Sequence, residues 1–230
     1  MLLEVIIQSV ADARAAAEGG ADRLEIVRSI RDGGLTPPLS LVRAIAAETR
    51  LPLRVMVREN AGYAMQPHEL DALTRAARDF ADEGVDGIVV GFERGGTPAL
   101  DDLTRVLEAA PGVRATFHRA FDALLNPFRA IDALSGVPQV DQILTSGGDG
   151  TAEERCARLR EYVARGGQRI AIVAGFAVDD AVLTHFVRTA CVHQVHVGRA
   201  ARERAEQEGP VSVSCVRRLR RICDGDVGGG

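Results

Sequence analysis

A chain of 230 residues can form one domain with a substantial core, and 46% hydrophobic with 26% charged residues is ordinary globular composition. The net charge of −4 provides no basic field, so we expect neither a nucleic acid nor a membrane surface as a partner. No lysine occurs in the sequence, which excludes Schiff-base and pyridoxal phosphate chemistry because an arginine guanidinium stays protonated.

The chain repeats one unit along its length, a short Val/Ile/Leu-rich run followed by a turn and a helical segment. The N-terminal run lacks the basic lead and cleavage site of a signal peptide, so we interpret it as a first strand and expect a cytoplasmic protein. The eight predicted strands are 2–7, 23–27, 52–57, 87–92, 113–117, 140–145, 169–174 and 193–197.

Helix signals lie between these runs. Ser9 is placed to cap the first helix, which stops at Gly19 and Gly20, while Pro67 suits a first helical turn and Asp179 precedes another helix. Eight β–α units predict a single-domain α/β protein, a (β/α)8 TIM-type barrel over residues 1–223 with a flexible C-terminal tail at 224–230. An open doubly wound sheet is the main alternative, but it usually has fewer strands at this length.

Cofactor motifs are missing from the sequence. It contains no GxGxxG, no Walker-type loop and no CxxC pair, so we expect no cofactor and no metal ligands of zinc-like spacing. The four cysteines fit the role of small buried hydrophobic residues.

Polar residues cluster where the predicted strands carry or end in charge. In this type of barrel, the C-terminal ends of the strands build the active site. Structural ion pairs are the alternative, with Arg23, Arg54 or Arg58 holding the buried carboxylates of neighbouring strands. The candidates from strands one to six and strand eight are Glu4, Glu25, Arg58, His118, Asp122, Thr145, Ser146 and His196.

The stretch "TFHRAFD" (116–122) contains three of these groups. Thr116 and His118 share one face of strand five, so a His118 that faces the barrel axis leaves Arg119 outside as a brace. Asp122 is then placed to orient His118 or to contact the substrate. We predict Glu25, His118 and Asp122 as catalytic residues.

Glycine-rich turns follow strands six, seven and eight. Such loops often bind phosphate in barrels, or they merely form tight turns. We place Gly175 and Arg199 with Glu4, Arg58, Thr145, Ser146 and His196 as substrate-binding candidates.

With these residues in hand, the sequence resembles the CutC family, which is named for copper homeostasis. The matching stretches are "LEV" (3–5), "GGADRLEI" (19–26), "DGGLTPPLSLVRAI" (32–45), "TFHRAFD" (116–122), "ILTSGG" (143–148) and the histidine of "VHVGRA" (195–200). The resemblance implies a TIM-like barrel, a cytoplasmic protein that associates with itself as a homodimer or higher oligomer, and a role in copper tolerance.

The chain also departs from the family pattern. The family's cysteines in the first two strands, which the resemblance would make Cu(I) ligands, are replaced by Ile6 and Val27. Asn60 stands where a second arginine is usual, and Gly198 where a serine is common. Cu(I) prefers thiolate and thioether donors, so the soft-metal site implied by the family lacks its ligands.

Two functions remain open from the sequence. The first is a cofactor-independent acid–base enzyme of lyase, isomerase or cyclase type that acts on a small oxygenated or carbonyl-bearing metabolite, with Arg58 holding negative charge. The second is copper homeostasis by binding without turnover, or a divalent ion held by Glu25, His118, Asp122 and His196. We expect the loops 58–66 and 93–100 to set specificity.

Overall fold

Eight parallel strands close into a barrel in the computed structural model, which describes residues 1–205 and 208–226. The barrel strands are β1 (Leu2–Ile7), β2 (Arg23–Ile26), β3 (Leu53–Met56), β4 (Gly87–Val90), β5 (Arg114–Phe117), β6 (Val140–Thr145), β7 (Ala171–Ala174) and β8 (Gln194–Val197). Each strand pairs with its neighbours in chain order, and β8 closes on β1 with Leu3 opposite Val195.

Within residues 1–205 and 208–226, eight α-helices surround the barrel. They are α1 (Val10–Gly19), α2 (Leu39–Glu48), α3 (Leu70–Asp82), α4 (Leu100–Glu108), α5 (Pro127–Ser135), α6 (Ala152–Gly166), α7 (Asp180–Thr189) and α8 (Val213–Cys223). The predicted (β/α)8 barrel is confirmed, and its repeat follows from strands that are buried on both faces and need a covering helix.

Local signals explain most of the element boundaries. The Ser9 side chain accepts the backbone N–H of Asp12 and caps α1, while Asp179 caps α7 through the N–H of Val182. Pro67 was assigned wrongly, because α3 begins only at Leu70 and Pro67 lies in the preceding turn. Residues 224–226 bond back to the end of α8, and the rest of the predicted tail lies outside the described residues.

Short segments of secondary structure follow several of the barrel strands. A short 3-10 helix, Arg119–Ala123, follows β5 directly, and another, Arg199–Ala201, follows β8. Residues 93–98 form a small hairpin of Glu93–Arg94 with Thr97–Pro98 before α4 begins. Within the described part of the chain, no helix is both long and apolar enough to cross a membrane.

Candidate functional site

A cavity of about 730 Å³ opens at the C-terminal ends of the barrel strands. Of the ten predicted site residues, Glu25, Arg58, His118, His196 and Arg199 line it, whereas Glu4, Asp122, Thr145, Ser146 and Gly175 lie outside its wall. Glu4 contacts His196, and Asp122 contacts Arg119, which is a further residue of the cavity wall. The volume suits a small metabolite.

Glu4, His196 and Glu25 form a buried cluster beside this cavity. His196 Nδ1 lies 2.8 Å from Glu4 Oε1 and 3.1 Å from Glu25 Oε2. Adjacent strands position these side chains, since Glu4 lies opposite His196 in the pairing of β1 with β8. Arg23 donates through Nε to the other oxygen of Glu4, so the predicted alternative of a Glu4–arginine ion pair is confirmed for this residue.

The two carboxyl groups of the cluster differ in acidity. Burial disfavours ionisation of Glu4, but Arg23 and His196 outweigh burial and lower the Glu4 pKa to about 2. Burial raises the pKa of Glu25 to about 7, with His196 opposing the rise and the charge of Glu4 adding to it. Glu25 Oε1 has no hydrogen-bond partner among the described residues. Glu25 is therefore a carboxyl group that gains or loses a proton near neutral pH.

His196 is held between these two carboxyl groups. Burial lowers the pKa of His196, yet Glu25 and Glu4 outweigh burial and raise it above the ordinary value. Because Glu4 is ionised, the ring donates from Nδ1 to Glu4, and its positive form lies in ion-pair contact with Glu25.

His118 sits on another part of the wall in a different state. Its Nδ1 accepts the backbone N–H of Ala120 at 3.1 Å, so the neutral ring carries its hydrogen on Nε2. Burial, followed by the positive charge of Arg58, lowers the His118 pKa to about 3. Nε2 has no partner within residues 1–205 and 208–226. His118 is thus a neutral hydrogen-bond donor at neutral pH, and not the proton acceptor that the sequence alone allowed.

Asp122 does not orient His118. Its carboxylate accepts the Thr145 hydroxyl at 2.6 Å, the Ser146 backbone N–H at 3.1 Å and Arg119 Nε at 2.8 Å. The short 3-10 turn after β5 carries Asp122 toward the end of β6 and away from the His118 ring. Asp122, Thr145 and Ser146 therefore form a brace beneath the mouth.

Arg119 lines the cavity as well as bracing the strand end, contrary to its predicted place outside the barrel. Its guanidinium lies 4.0 Å from the centre of the Phe176 ring. Arg58, in contrast, donates to the carbonyl oxygens of Gly33, Ala61 and Gly62 and lies over the Tyr63 ring.

The two loops that were expected to set specificity differ in whether they reach the cavity. Ala61 and Tyr63 from the predicted loop 58–66 line the cavity, whereas residues 93–100 contribute nothing to its wall because they fold into the hairpin. Phe176 also lines the cavity and is 56% exposed, but it was not predicted as a site residue. The available signal was a large apolar residue in the glycine-containing loop after Gly175.

Among the residues that it describes, the structure places no thiolate, the donor that Cu(I) prefers, at the cavity. Ile6 and Val27, where the family's cysteines would stand, pack with Ile30, Met56 and Val89 in an apolar cluster. The four cysteines lie on or beside the outer helices, and none of them lines the cavity. The carboxylate and imidazole groups of Glu4, Glu25 and His196 lie within 4.8 Å of one another, but they are harder donors than Cu(I) prefers.

Fold and site together define a TIM-type barrel with an ionisable cluster at the carboxyl ends of its strands. The family model described as CutC family matches residues 1–201, and the chain belongs to this family.

The relatives support the assignment. A family protein CutC of Histophilus somni is 30% identical over 216 residues, which are 93% of this chain and 88% of the relative. A family protein CutC of Treponema denticola is 32% identical over 207 residues, 89% of this chain and 83% of the relative.

Solved structures share the fold. A crystal structure from Streptococcus agalactiae, described as a copper homeostasis protein CutC, has a TM-score of 0.78 at 21% identity and covers 85% of this chain and 97% of its own. Orotidine 5′-phosphate decarboxylase from Pyrococcus horikoshii has a TM-score of 0.65 at 14% identity, covering 97% of this chain and 100% of its own. Identities this low support the architecture and no shared activity. The description of the Streptococcus agalactiae structure names copper homeostasis, and the description of the family model names no activity.

Proposed function

We propose that this protein is a cofactor-independent acid–base enzyme of lyase, isomerase or cyclase type, acting on a small carbonyl-bearing metabolite at the barrel mouth. The observation that carries the proposal is Glu25, a buried carboxyl group with a pKa of about 7 and one oxygen free of partners. Pairing with a cation lowers a carboxyl pKa, so the raised pKa of Glu25 means that burial outweighs its contact with His196.

The roles follow from the geometry. Glu25 removes a proton from a carbon next to the substrate carbonyl, and His196, fixed by Glu4 and Arg23, holds Glu25 in place. The negative charge that develops on the carbonyl oxygen is stabilised by the Nε2–H of His118. A neutral imidazole suits this task because its proton stays on the ring at neutral pH.

Solvent hydrogen exchange tests the proposal without a known product. We would incubate the protein in heavy water with small hydroxyketones, keto acids and sugar phosphates, and follow loss of the C–H signal by NMR. Wild-type protein should catalyse exchange on one class, and Glu25→Gln should slow it by about 10²-fold or more. Glu108→Gln, an exposed carboxyl group on α4, is the matched control. Exchange that persists in Glu25→Gln would refute the assigned role.

Copper homeostasis by binding without turnover is the second candidate, and membership of the CutC family favours it. Metal analysis of protein purified without chelator separates the candidates. Stoichiometric copper that survives dialysis would support binding, whereas proton exchange by copper-free protein would support the enzyme.

A further inference from the structure

We propose that the substrate carries an anionic group, a carboxylate or a phosphate monoester, and that Arg119 binds it at the mouth of the cavity. Calling the bound anion a substrate rests on the proposed function, whereas the anion-binding site itself is argued from other residues. Arg119 lines the cavity together with Arg31, Arg58 and Arg199.

The four arginines are not equally available. Arg58 is occupied by three backbone carbonyls, and Arg31 is paired with Glu208. Arg199 is exposed and has no side-chain partner among the described residues, so holding it in one conformation costs entropy. Arg119 is the cavity arginine that is both fixed and incompletely used.

Two contacts fix the Arg119 guanidinium. Its Nε donates to Asp122, which the Thr145 hydroxyl and the Ser146 N–H hold in turn. Its Cζ atom lies over the Phe176 ring, 4.0 Å from the ring centre. Neither Nη of Arg119 has a partner in the part of the chain that the structure describes. A fixed fork of donors is the geometry that binds the paired oxygens of a carboxylate or phosphate.

The platform beneath Arg119 is itself held in a costly conformation. Phe176 and Ala177 adopt φ values of 62° and 49°, in the left-handed region that non-glycine residues rarely occupy. The buried Arg155 side chain donates to the carbonyl oxygens of Gly175, Phe176 and Ala177 and thereby keeps the loop in this shape. Strain of this kind persists at sites where a side chain must be aimed, and here the side chain supports Arg119.

Cavity polarity fits an anionic substrate with a reactive carbonyl. Glu25 and His118 line the cavity, and the apolar side chains Ile6, Met56 and Leu144 also contribute to its wall. Asp32 and Asp179 line it too, but Asp32 accepts the Ser29 hydroxyl and Asp179 caps α7. An anion bound by Arg119 would therefore anchor a small molecule whose other groups reach Glu25 and His118.

Calorimetric titration at low ionic strength tests the site, with inorganic phosphate and glycolate as the two anions. Wild-type protein should bind one of them, and Arg119→Gln should weaken binding by about tenfold or more, as expected for lost charge-assisted hydrogen bonds. Arg105→Gln, an exposed arginine on α4, should bind as wild type does. Preference for phosphate indicates a phosphate monoester, and preference for glycolate indicates a carboxylate.

Phe176→Leu and Arg119→Lys protect the test against a misfolded variant. Phe176→Leu keeps the Asp122 ion pair but removes the ring, and Arg119→Lys keeps the charge but loses the fork, so each should weaken binding severalfold. The proposal is overturned if neither anion binds wild-type protein at millimolar concentration, or if all three variants bind as tightly as wild type.

Anion binding is measured without turnover, so it fails or succeeds independently of the acid–base proposal. Anion binding lost in Arg119→Gln, without proton exchange in wild-type protein, would leave this inference standing and remove the enzyme. Exchange on an uncharged hydroxyketone without anion binding would do the reverse.

Discussion

Glu25 links site chemistry to stability. Its pKa is about 7 in the folded protein against 4.5 for a free group, so the native state holds a proton that the unfolded chain releases between these values. The stability that Glu25 contributes is therefore present below about pH 4.5 and lost as pH rises through about 7. Glu25→Gln should unfold at a higher urea concentration than wild type at pH 8, and the gap should shrink toward pH 5.

The expected slope is at most about 1.4 kcal/mol per pH unit, the value for one proton. Urea denaturation at several pH values measures it, with Glu108→Gln as the variant that should run parallel to wild type. Parallel curves for Glu25→Gln would show that the Glu25 carboxyl group titrates at an ordinary pH.

His118 should take up a proton at a much lower pH than a free histidine does. Burial and Arg58 lower its pKa to about 3, so its ring should stay neutral from pH 8 down to about pH 4. NMR titration of the ring Cε1–H signal checks this, and His118→Asn assigns that signal among the five histidines. A titration midpoint near 6.5 would contradict the neutral-donor role.

Residue positions were easier to predict than residue partners. The rule that strand ends build the site identified Glu25, His118 and His196 correctly as cavity residues. It did not reveal that Asp122 turns to Thr145 and Ser146, because those partners lie 23 and 24 residues further along the chain. The direction of a short turn after a strand depends on packing that strand periodicity does not encode.

At the scale of elements, Arg155 on α6 ties two loops together. It bonds the Ser146 carbonyl at 2.7 Å and three consecutive carbonyls after β7, including that of Phe176. Arg155→Met would leave these carbonyls without their partner, so we expect a loss of about 2–4 kcal/mol in the free energy of unfolding. Urea denaturation measures it, and the anion affinity should fall with it because the Phe176 platform relaxes.

Arg160→Met is the matched control for this prediction. Arg160 lies on the same helix, is exposed and bonds one carbonyl, that of Thr189, so its replacement should cost less than about 1 kcal/mol. Equal losses in the two variants would mean that the backbone hydrogen bonds of Arg155 stabilise the fold no more than the single bond of the exposed Arg160.

The alternation of elements was predictable, whereas the loop functions were not. Apolar runs located all eight strands, because strands buried on both faces are apolar along most of their length. Caps such as Ser9 located the starts of helices. The loops 58–66 and 93–100 have similar lengths and no motif, yet Tyr63 reaches the cavity and the hairpin does not. Backbone pairing within residues 93–98 decided this difference.

For the molecule as a whole, removing a buried charge should lower the free energy of unfolding at one end of the barrel and leave it unchanged at the other. Arg54 is fully buried and pairs with Asp86 at 2.9 Å and Asp141 at 2.8 Å. Arg54→Met would leave Asp86 and Asp141 with the exposed Arg114, at 3.8 and 4.0 Å, as their remaining cation, and should cost about 3 kcal/mol of unfolding free energy. Glu25→Gln should cost nothing at neutral pH while slowing the proposed exchange by about 10²-fold or more. Urea denaturation of both variants at pH 7 tests this separation, and similar losses would contradict it.

Copper affinity is the property on which the family name and this chain should diverge. Ile6 and Val27, where the family has cysteines, lie in one apolar cluster, so wild-type protein offers no thiolate at the barrel mouth. We expect wild-type protein to lose a competition for Cu(I) against a chromogenic chelator, since carboxylate and imidazole are poor Cu(I) donors. The double variant Ile6→Cys, Val27→Cys should take up one Cu(I) per chain, because the two side chains already share a cluster. Each single variant is the control, with one thiolate too few. Stoichiometric Cu(I) uptake by wild-type protein would contradict this prediction and support a function in copper binding.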